Sequence, residues 1–313
     1  MTLPEMYLPE IRSYQQVVAR ARDKVSRTAL TRVAFVAPTD ENMLAACERA
    51  VHDGLIELTI IGDAAAFRAQ CTQQQVDVTP TRVFDVPDMY KAVLTTADLA
   101  AQGEIDLIVK GKILTAELLS ILFRHEMRFV GKGSFVSHVA VTKPERYKKL
   151  LMVTDPAVMI EPDLQHKLAL IGNVVRVARS IGIVNPRIAL LAAVEVVYPQ
   201  MPVTMEAAVI SKMAERGQIK DAIIDGPLSL DCAVDMFAAH SKGVKYSPVA
   251  GQADALLAPN IETANGIYKA MALYGECEMG GVIVGGKVPI ALGSRSDTTT
   301  SKFNSIVLGV LAA

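Results

Sequence analysis

Short apolar runs, each too brief for a helix, recur along this chain, and each is followed by a stretch whose apolar residues return at helical spacing. Residues 33–37 (VAFVA) precede residues 41–51, where Met43, Leu44, Cys47, Ala50 and Val51 recur on one face. Residues 58–61 form the next run, closed by Gly62 and Asp63, and residues 105–109 (IDLIV) another, followed by a helical pattern over 116–123. Strands apolar on both faces and spaced by helices indicate a mostly parallel sheet covered on both sides, an α/β fold. The second half repeats the pattern. Strands are predicted at 150–153, 188–194, 222–224 and 255–258, and a pair at 281–284 and 288–292. A long helix is predicted from Asp163 to Ser180, with Asp163 as N-cap and Gly182 past its end. Its expected core stripe is Leu164, Leu168, Ile171, Val175 and Ala178. A final helix is expected over 301–311.

A chain of 313 residues with 51% hydrophobic content more naturally forms two domains than one. No Gly-, Ser- or Pro-rich linker divides it, and no fixed-period repeat appears. The polar stretch 142–149 is the best crossing point. The expectation is a first α/β lobe of residues 1–145 with 292–313, and a second of residues 146–291. The formal net charge of −1 leaves no global basic field, so nucleic acid is not expected as a partner. The first residues, MTLPEMYLPEIRSYQQ, have their apolar runs broken by Pro and acids and do not read as a signal peptide. No stretch approaches the roughly 20 apolar residues that span a bilayer. A cytoplasmic enzyme is expected, with mean hydropathy +0.29 reflecting buried strands. Cys47, Cys71, Cys232 and Cys277 are scattered with no CxxC pair, which supports neither zinc nor a disulfide framework.

Three stretches carry candidate chemistry. Residues 292–302 (LGSRSDTTTSK) follow an apolar strand and open a helix. Open α/β sheets place ligands at strand C-termini, and a helix N-terminus offers unpaired N–H groups to an anion. Arg295 adds a guanidinium fork suited to phosphate, and Ser294, Ser296, Thr298 and Thr299 add hydroxyls. The plainer reading is a helix cap in which Arg295 pairs with Asp297. Residues 109–115 (VKGKILT) also join a strand to a helix, with Lys110 and Lys112 flanking Gly111 and Thr115 opening the helix. The plainer reading there is a solvated turn. In residues 224–231 (IDGPLSLD), Asp225 and Asp231 flank a Gly226-Pro227 pair that reads as a strand-end turn. Asp231 would cap the helix that follows, or the two carboxylates would serve acid/base work. His52, His125, His138, His166 and His240 stand apart from one another, and only His138 lies in a site-like segment. Residues 281–287 (GVIVGGK) match the start of a phosphate loop, but Val288 replaces its Ser or Thr and Pro289 opposes an immediate helix.

Taken in order, these stretches resemble the phosphate acetyl/butyryltransferase family. Residues 294–297 (SRSD) are similar to its C-terminal Ser-Arg signature, and residues 213–219, 244–254 and 258–269 are similar to further family segments. The turns at 110–112 and 225–228 resemble the butyryl branch more than the acetyl branch. The likeness runs from about residue 110 to 308. It implies two α/β lobes on the isocitrate/isopropylmalate dehydrogenase-like plan, with the site in the cleft between them. It also implies a homodimer or larger homo-oligomer. The implied reaction moves an acyl group reversibly between coenzyme A and inorganic phosphate, with acyl-CoA, phosphate and acyl phosphate as partners and no metal or organic cofactor. Ser294, Arg295 and Asp297 are the implied catalytic residues. Lys110, Lys112, Thr115, His138, Asp225, Gly226, Asp231 and Thr298 are the implied substrate-binding residues. Ser301 stands where the acetyl branch carries an Asp, and Ser120 near where it carries an Arg. Leu230 and Cys232 replace the butyryl branch's usual Phe and Asn. Two other readings are a non-catalytic sensor of CoA or acyl phosphate, and a metal-dependent dehydrogenase of related fold.

Overall fold

The computed structural model describes residues 11–124, 128–294 and 296–313. Its elements alternate as the periodicity predicts. Helix α1 (Tyr14–Arg27) leads into β1 (Thr31–Val36), α2 (Glu41–His52), β2 (Ile56–Gly62), α3 (Ala64–Gln74), β3 (Arg82–Asp85), α4 (Met89–Ala101), β4 (Leu107–Lys110) and α5 (Thr115–Leu122). After β5 (Ser137–Lys143) and β6 (Leu151–Thr154) come α6 (Leu164–Ser180), β7 (Arg187–Leu191), α7 (Pro202–Glu215) and β8 (Ile223–Leu228). Two short helices, α8 (Leu230–Val234) and α9 (Met236–Ser241), precede β9 (Ala255–Leu257) and α10 (Ile261–Tyr274). The chain closes with β10 (Glu278–Val284), β11 (Ile290–Ala291) and α11 (Thr299–Ala312). Asp40, Asp63, Asp88 and Asp163 each stop a connection and start a helix by accepting the backbone N–H three residues on.

All strands join one sheet in the order β3-β2-β1-β4-β11-β10-β5-β6-β9-β7-β8. The outer strands pair in parallel on each side, while β11–β10, β10–β5 and β5–β6 are antiparallel. Three reversals in a row turn the two parallel groups in opposite directions. The C-terminal end of β11 and the N-terminal end of β6 therefore face the same edge of the sheet.

Side chains alternate between the faces of the sheet. On one face a continuous core runs under α1, α2, α6, α7 and α11, from Phe35 and Leu107 through Val139 and Met152 to Leu190. The other face carries two separate cores. Ala34, Ile108 and Ile283 pack under α4 and α5, whereas Ala140, Val153 and Leu256 pack under α8 to α10. The α/β layering is as the sequence predicts, and the strands expected in two lobes are hydrogen-bonded into one sheet.

Several details depart from the sequence reading. The buried stripe of α6 is Lys167, Leu170, Ile171, Val174, Val177 and Ala178, with Leu164, Leu168 and Val175 at its flank. Lys167 lies in this stripe although a Lys rarely lies inside, because its ammonium pairs with Glu206 while its stem packs inward. The Gly226-Pro227 pair is not a strand-end turn. Both residues lie inside β8, which is an edge strand paired to β7 with a register shift between Ala189 and Leu191. An edge or a bulge is where a strand tolerates a residue without an N–H. Strand β7 ends at Leu191 and β11 has two residues, both shorter than the apolar runs suggest.

Candidate active site

Between the two cores on the divided face, His138 of β5 pairs in register with Ile283, and its imidazole lies over Gly281. A Cβ at Gly281 would stand 2.2 Å from His138 Nε2, so this strand position has room for hydrogen alone. The His138 ring is buried, meets Tyr268 of α10 edge-on with centroids 6.2 Å apart, and has no hydrogen-bond partner on either nitrogen. Burial lowers its pKa to about 3, so the ring is neutral at ordinary pH. The His138 N–H donates to Asp155 Oδ2 at 3.1 Å. Asp155 sits just past β6 and also accepts the N–H groups of Ala157, Val158 and Met159 at 2.9, 2.9 and 3.2 Å. Burial nonetheless raises its pKa to about 6, because loss of water outweighs those donors.

The second wall is the turn after β11. Leu292 N–H still donates to Gly281 O at 3.0 Å, and the chain then leaves the sheet. Ser294 N–H donates to Asp297 Oδ2 at 2.7 Å, and Asp297 N–H returns to Ser294 O at 3.1 Å. Thr298 caps α11, its hydroxyl oxygen accepting Ser301 N–H at 3.2 Å. Asn42 of α2 donates to Asp297 O at 3.1 Å and accepts from the Thr299 hydroxyl at 3.2 Å, which fixes the turn against the first strands. Lys302 is 1% exposed and pairs with Asp40 at 2.6 Å, tying α11 to the start of α2. Arg295 lies outside the described residues, and so does its expected pairing with Asp297; among the described residues Ser294 N–H and the Tyr268 hydroxyl meet that carboxylate.

Helix α10 brings two residues to this turn that the sequence reading gave no role. Lys269 Nζ lies 3.5 Å from Ser294 Oγ, the long end of the hydrogen-bonding range. Tyr268 is 7% exposed, and its hydroxyl pKa is raised by burial and then by the Asp297 carboxylate, which it meets as charge and hydrogen-bond partner. Asp297 is itself held above the ordinary carboxylate range, first by burial, with Asp40 adding to the shift and Ser294 N–H, Lys269 and Lys302 opposing it. A half-buried carboxylate of raised basicity beside a hydroxyl, a cation and a helix N-terminus can accept a proton while its surroundings take an anion.

The Lys110 turn leaves the sheet beside it, since Ile108 and Val109 of β4 pair with Ile290 and Ala291 of β11. Gly111 is required here: a Cβ would lie 2.0 Å from Ala37 O. Lys110 is buried and spends its ammonium on Gly111 O and Ile113 O at 3.2 and 2.9 Å, bracing the turn. Lys112 is exposed at the tip, and Thr115 opens α5 with a half-buried side chain.

Asp225, Gly226 and Asp231 sit elsewhere. Strand β8 is the far edge of the sheet from β11, with β10, β5, β6, β9 and β7 between. Asp225 accepts Gly226 N–H at 2.9 Å, and a Cβ at Gly226 would meet Leu190 at 2.7 Å. Both line a hollow of about 630 Å³ with Ser211 and Tyr246. Asp231 does not cap α8; Ser229 precedes that helix, and Asp231 pairs with Lys242 at 2.8 Å, which lowers its pKa to about 2. Glu195, Asp231 and Cys232 are the one group of possible metal ligands among the described residues, and the Lys242 ammonium already pairs with both carboxylates. The four cysteines are free thiols, each raised in pKa first by burial, which makes poor nucleophiles of them.

The profile of the family described as phosphate acetyl/butaryl transferase matches residues 86–310. The chain belongs to this family. It is 38% identical over 303 residues to a phosphate butyryltransferase of Clostridium acetobutylicum, covering 97% of this chain and 99% of that one. It is 36% identical to a phosphate acetyltransferase of Thermotoga maritima, covering 96% and 99%. Among solved structures it resembles a branched-chain phosphotransacylase from Enterococcus faecalis V583, with a TM-score of 0.76 and 28% identity over 90% of this chain and 99% of that one. The family match spans the Lys110 turn, His138, Lys269 and the Ser294 turn. Ser301, the departure from the acetyl branch, lies in the first turn of α11 with its N–H and Oγ both on Thr298.

Proposed function

We propose that this chain catalyses reversible transfer of a short-chain acyl group, butyryl or acetyl, between coenzyme A and inorganic phosphate through a ternary complex. The observation that carries the reading is the Ser294–Asp297 turn: a carboxylate of raised pKa set next to a hydroxyl, a lysine and the N-terminus of α11. Ordinary thiols have a pKa of about 8.5, so the CoA thiol is mostly protonated at neutral pH. Asp297 takes that proton as the sulfur attacks the acyl phosphate carbonyl. The tetrahedral oxyanion forms beside Ser294, and the carbon–oxygen bond to phosphate then breaks. In reverse, a phosphate oxygen attacks the thioester and Asp297 returns the proton to the departing sulfur. Preorganised donors of this kind supply about 3–4 kcal/mol each.

Arg295, between Ser294 and Ser296, is assigned the phosphoryl oxygens, with Lys112 and Lys269 assisting. His138, kept neutral, and Thr298 line the substrate side, and Lys110 shapes the turn that presents Lys112 and Thr115. Asp225, Gly226 and Asp231 are assigned to a more distant part of the substrate or to the second lobe's closure. We assign two lobes, residues 1–145 with 292–313 and residues 146–291; the divided core fits a two-lobed plan, although Ile283 and Ile290 pack with the first core and Ala140 with the second. No metal or organic cofactor enters these steps, and CoA is a substrate. We place the protein in the cytoplasm as a homodimer or larger homo-oligomer; among the described residues no helix is long and apolar enough to cross a membrane. Val196, Val197, Met205 and Val209 expose apolar surface along α7 and the loop before it, suited to self-association. Phosphate-dependent CoA release from acyl-CoA tests the activity; in an Arg295→Ala variant the KM for phosphate should rise severely with the melting temperature unchanged.

A further inference from the structure

A cavity of about 660 Å³ opens at the N-terminal ends of β6, β7 and β9, lined by Arg12, Arg146, Lys148, Lys149, Arg187 and Asp235 among others. Five cations and one carboxylate line it, and Arg12 is already engaged by a partner of its own. That acid is already committed: Asp235 Oδ1 accepts Phe237 N–H and Ala238 N–H at 2.7 and 3.2 Å as the cap of α9. Lys149 is balanced by Asp254 at 2.6 Å, and the other oxygen of Asp254 accepts Arg187 N–H at 2.8 Å. Among the described residues Arg146, Lys148 and Arg187 have no carboxylate partner, and Arg187 Nε is buried without a hydrogen bond. Like charges gathered in a concave, partly desolvated wall repel one another, and an anion relieves that repulsion. The volume falls in the range of roughly 300–1,000 Å³ typical of small-molecule sites, far more than one phosphate fills. Val234 and Met236 add an apolar wall for a flat base.

We infer that this cavity binds the phosphate groups of a phosphorylated nucleotide. The site shares no residue with the Ser294 turn, yet the strand directions set both at the same edge of the sheet. From β11 to β6 there are three strand spacings, about 14 Å at roughly 4.8 Å each. The nucleotide is thus either the 3′-phospho-ADP end of CoA, whose arm carries the thiol toward Asp297, or a free nucleotide. The first source rests on the acyltransferase reading; nucleotide binding itself does not.

Calorimetric titration with 3′,5′-ADP, ADP and ATP, at low salt, tests this on the wild type and on an Arg146→Ala, Lys148→Ala double variant. Both substituted side chains are exposed, so the fold is kept, and Arg187→Met is the second variant. At least one probe should bind, with affinity at least tenfold weaker in the variants. Binding of 3′,5′-ADP, with a raised KM for acyl-CoA and an unchanged KM for acyl-pantetheine, assigns the cavity to the CoA nucleotide. Binding of ADP or ATP with the acyl-CoA KM unchanged assigns it to a free nucleotide. No binding of any probe, or equal binding by wild type and variants, overturns the inference whether or not the protein turns over acyl-CoA.

Discussion

Ser294 N–H donates to Asp297 Oδ2 at 2.7 Å, so the turn that exposes the Ser294 hydroxyl is closed by the carboxylate proposed to act as base. One oxygen of Asp297 closes the turn, and the Tyr268 hydroxyl is a further partner of the same carboxylate. Asp297→Asn keeps an acceptor for Ser294 N–H but removes the base. The expected outcome is a fall in kcat of about 10²–10⁴-fold with the melting temperature within a few degrees of wild type. A variant that unfolds instead would assign Asp297 to the turn alone.

Lys269 opposes the upward shift of Asp297. In the acyl-phosphate-consuming direction activity should fall as pH drops through the raised pKa of Asp297, since the protonated carboxyl cannot accept the thiol proton. Lys269→Met removes the cation that favours ionisation, so this limb should move to higher pH. Lys269→Arg should return it toward the wild-type position. A pH–rate profile of the three proteins checks the sign.

Much of this was legible in the chain itself. Alternating apolar runs gave the layers because a strand buried on both faces needs no polar residue. The Ser294 turn announced itself through hydroxyls, a guanidinium and a carboxylate at a strand–helix junction. Lys269 and Tyr268 were hidden inside a helical pattern, where nothing in the spacing says which face meets a turn 25 residues later in the chain. Asp155 was invisible because a lone Asp before Pro156 reads as a loop, and only the packing of β5 against β6 aims His138 N–H at it. Asp225 and Asp231 were misread as flanking a turn because Gly-Pro ordinarily breaks a strand, whereas an edge strand with a bulge absorbs it.

Asp155 should leave a signature in stability. Its pKa rises from the usual 3.8 to about 6 on folding, because burial disfavours the charge. Between those values the native state holds a proton that the unfolded chain has lost, so stability falls as pH rises from about 4 to 6. Full ionisation costs roughly 3 kcal/mol. Denaturant unfolding across this window should show the decline, and Asp155→Asn should flatten it.

Gly281 is a steric requirement of the His138 position. A Cβ there would lie 2.2 Å from Nε2 and 3.1 Å from the neighbouring ring carbon. Gly281→Ala should cost about 1–3 kcal/mol by overpacking, read as a lower urea midpoint. In a Gly281→Ala, His138→Ala double variant, which vacates the ring's space, much of that penalty should disappear.

The most direct test of the whole account is CoA release, followed with a thiol reagent, from acetyl-, propionyl-, butyryl- and isobutyryl-CoA, with and without inorganic phosphate. Release that requires phosphate, is lost in Asp297→Asn and is fastest with one acyl chain is the predicted result. Release of equal rate without phosphate would make the protein a thioesterase, and no release from any of them would contradict catalysis at the Ser294 turn.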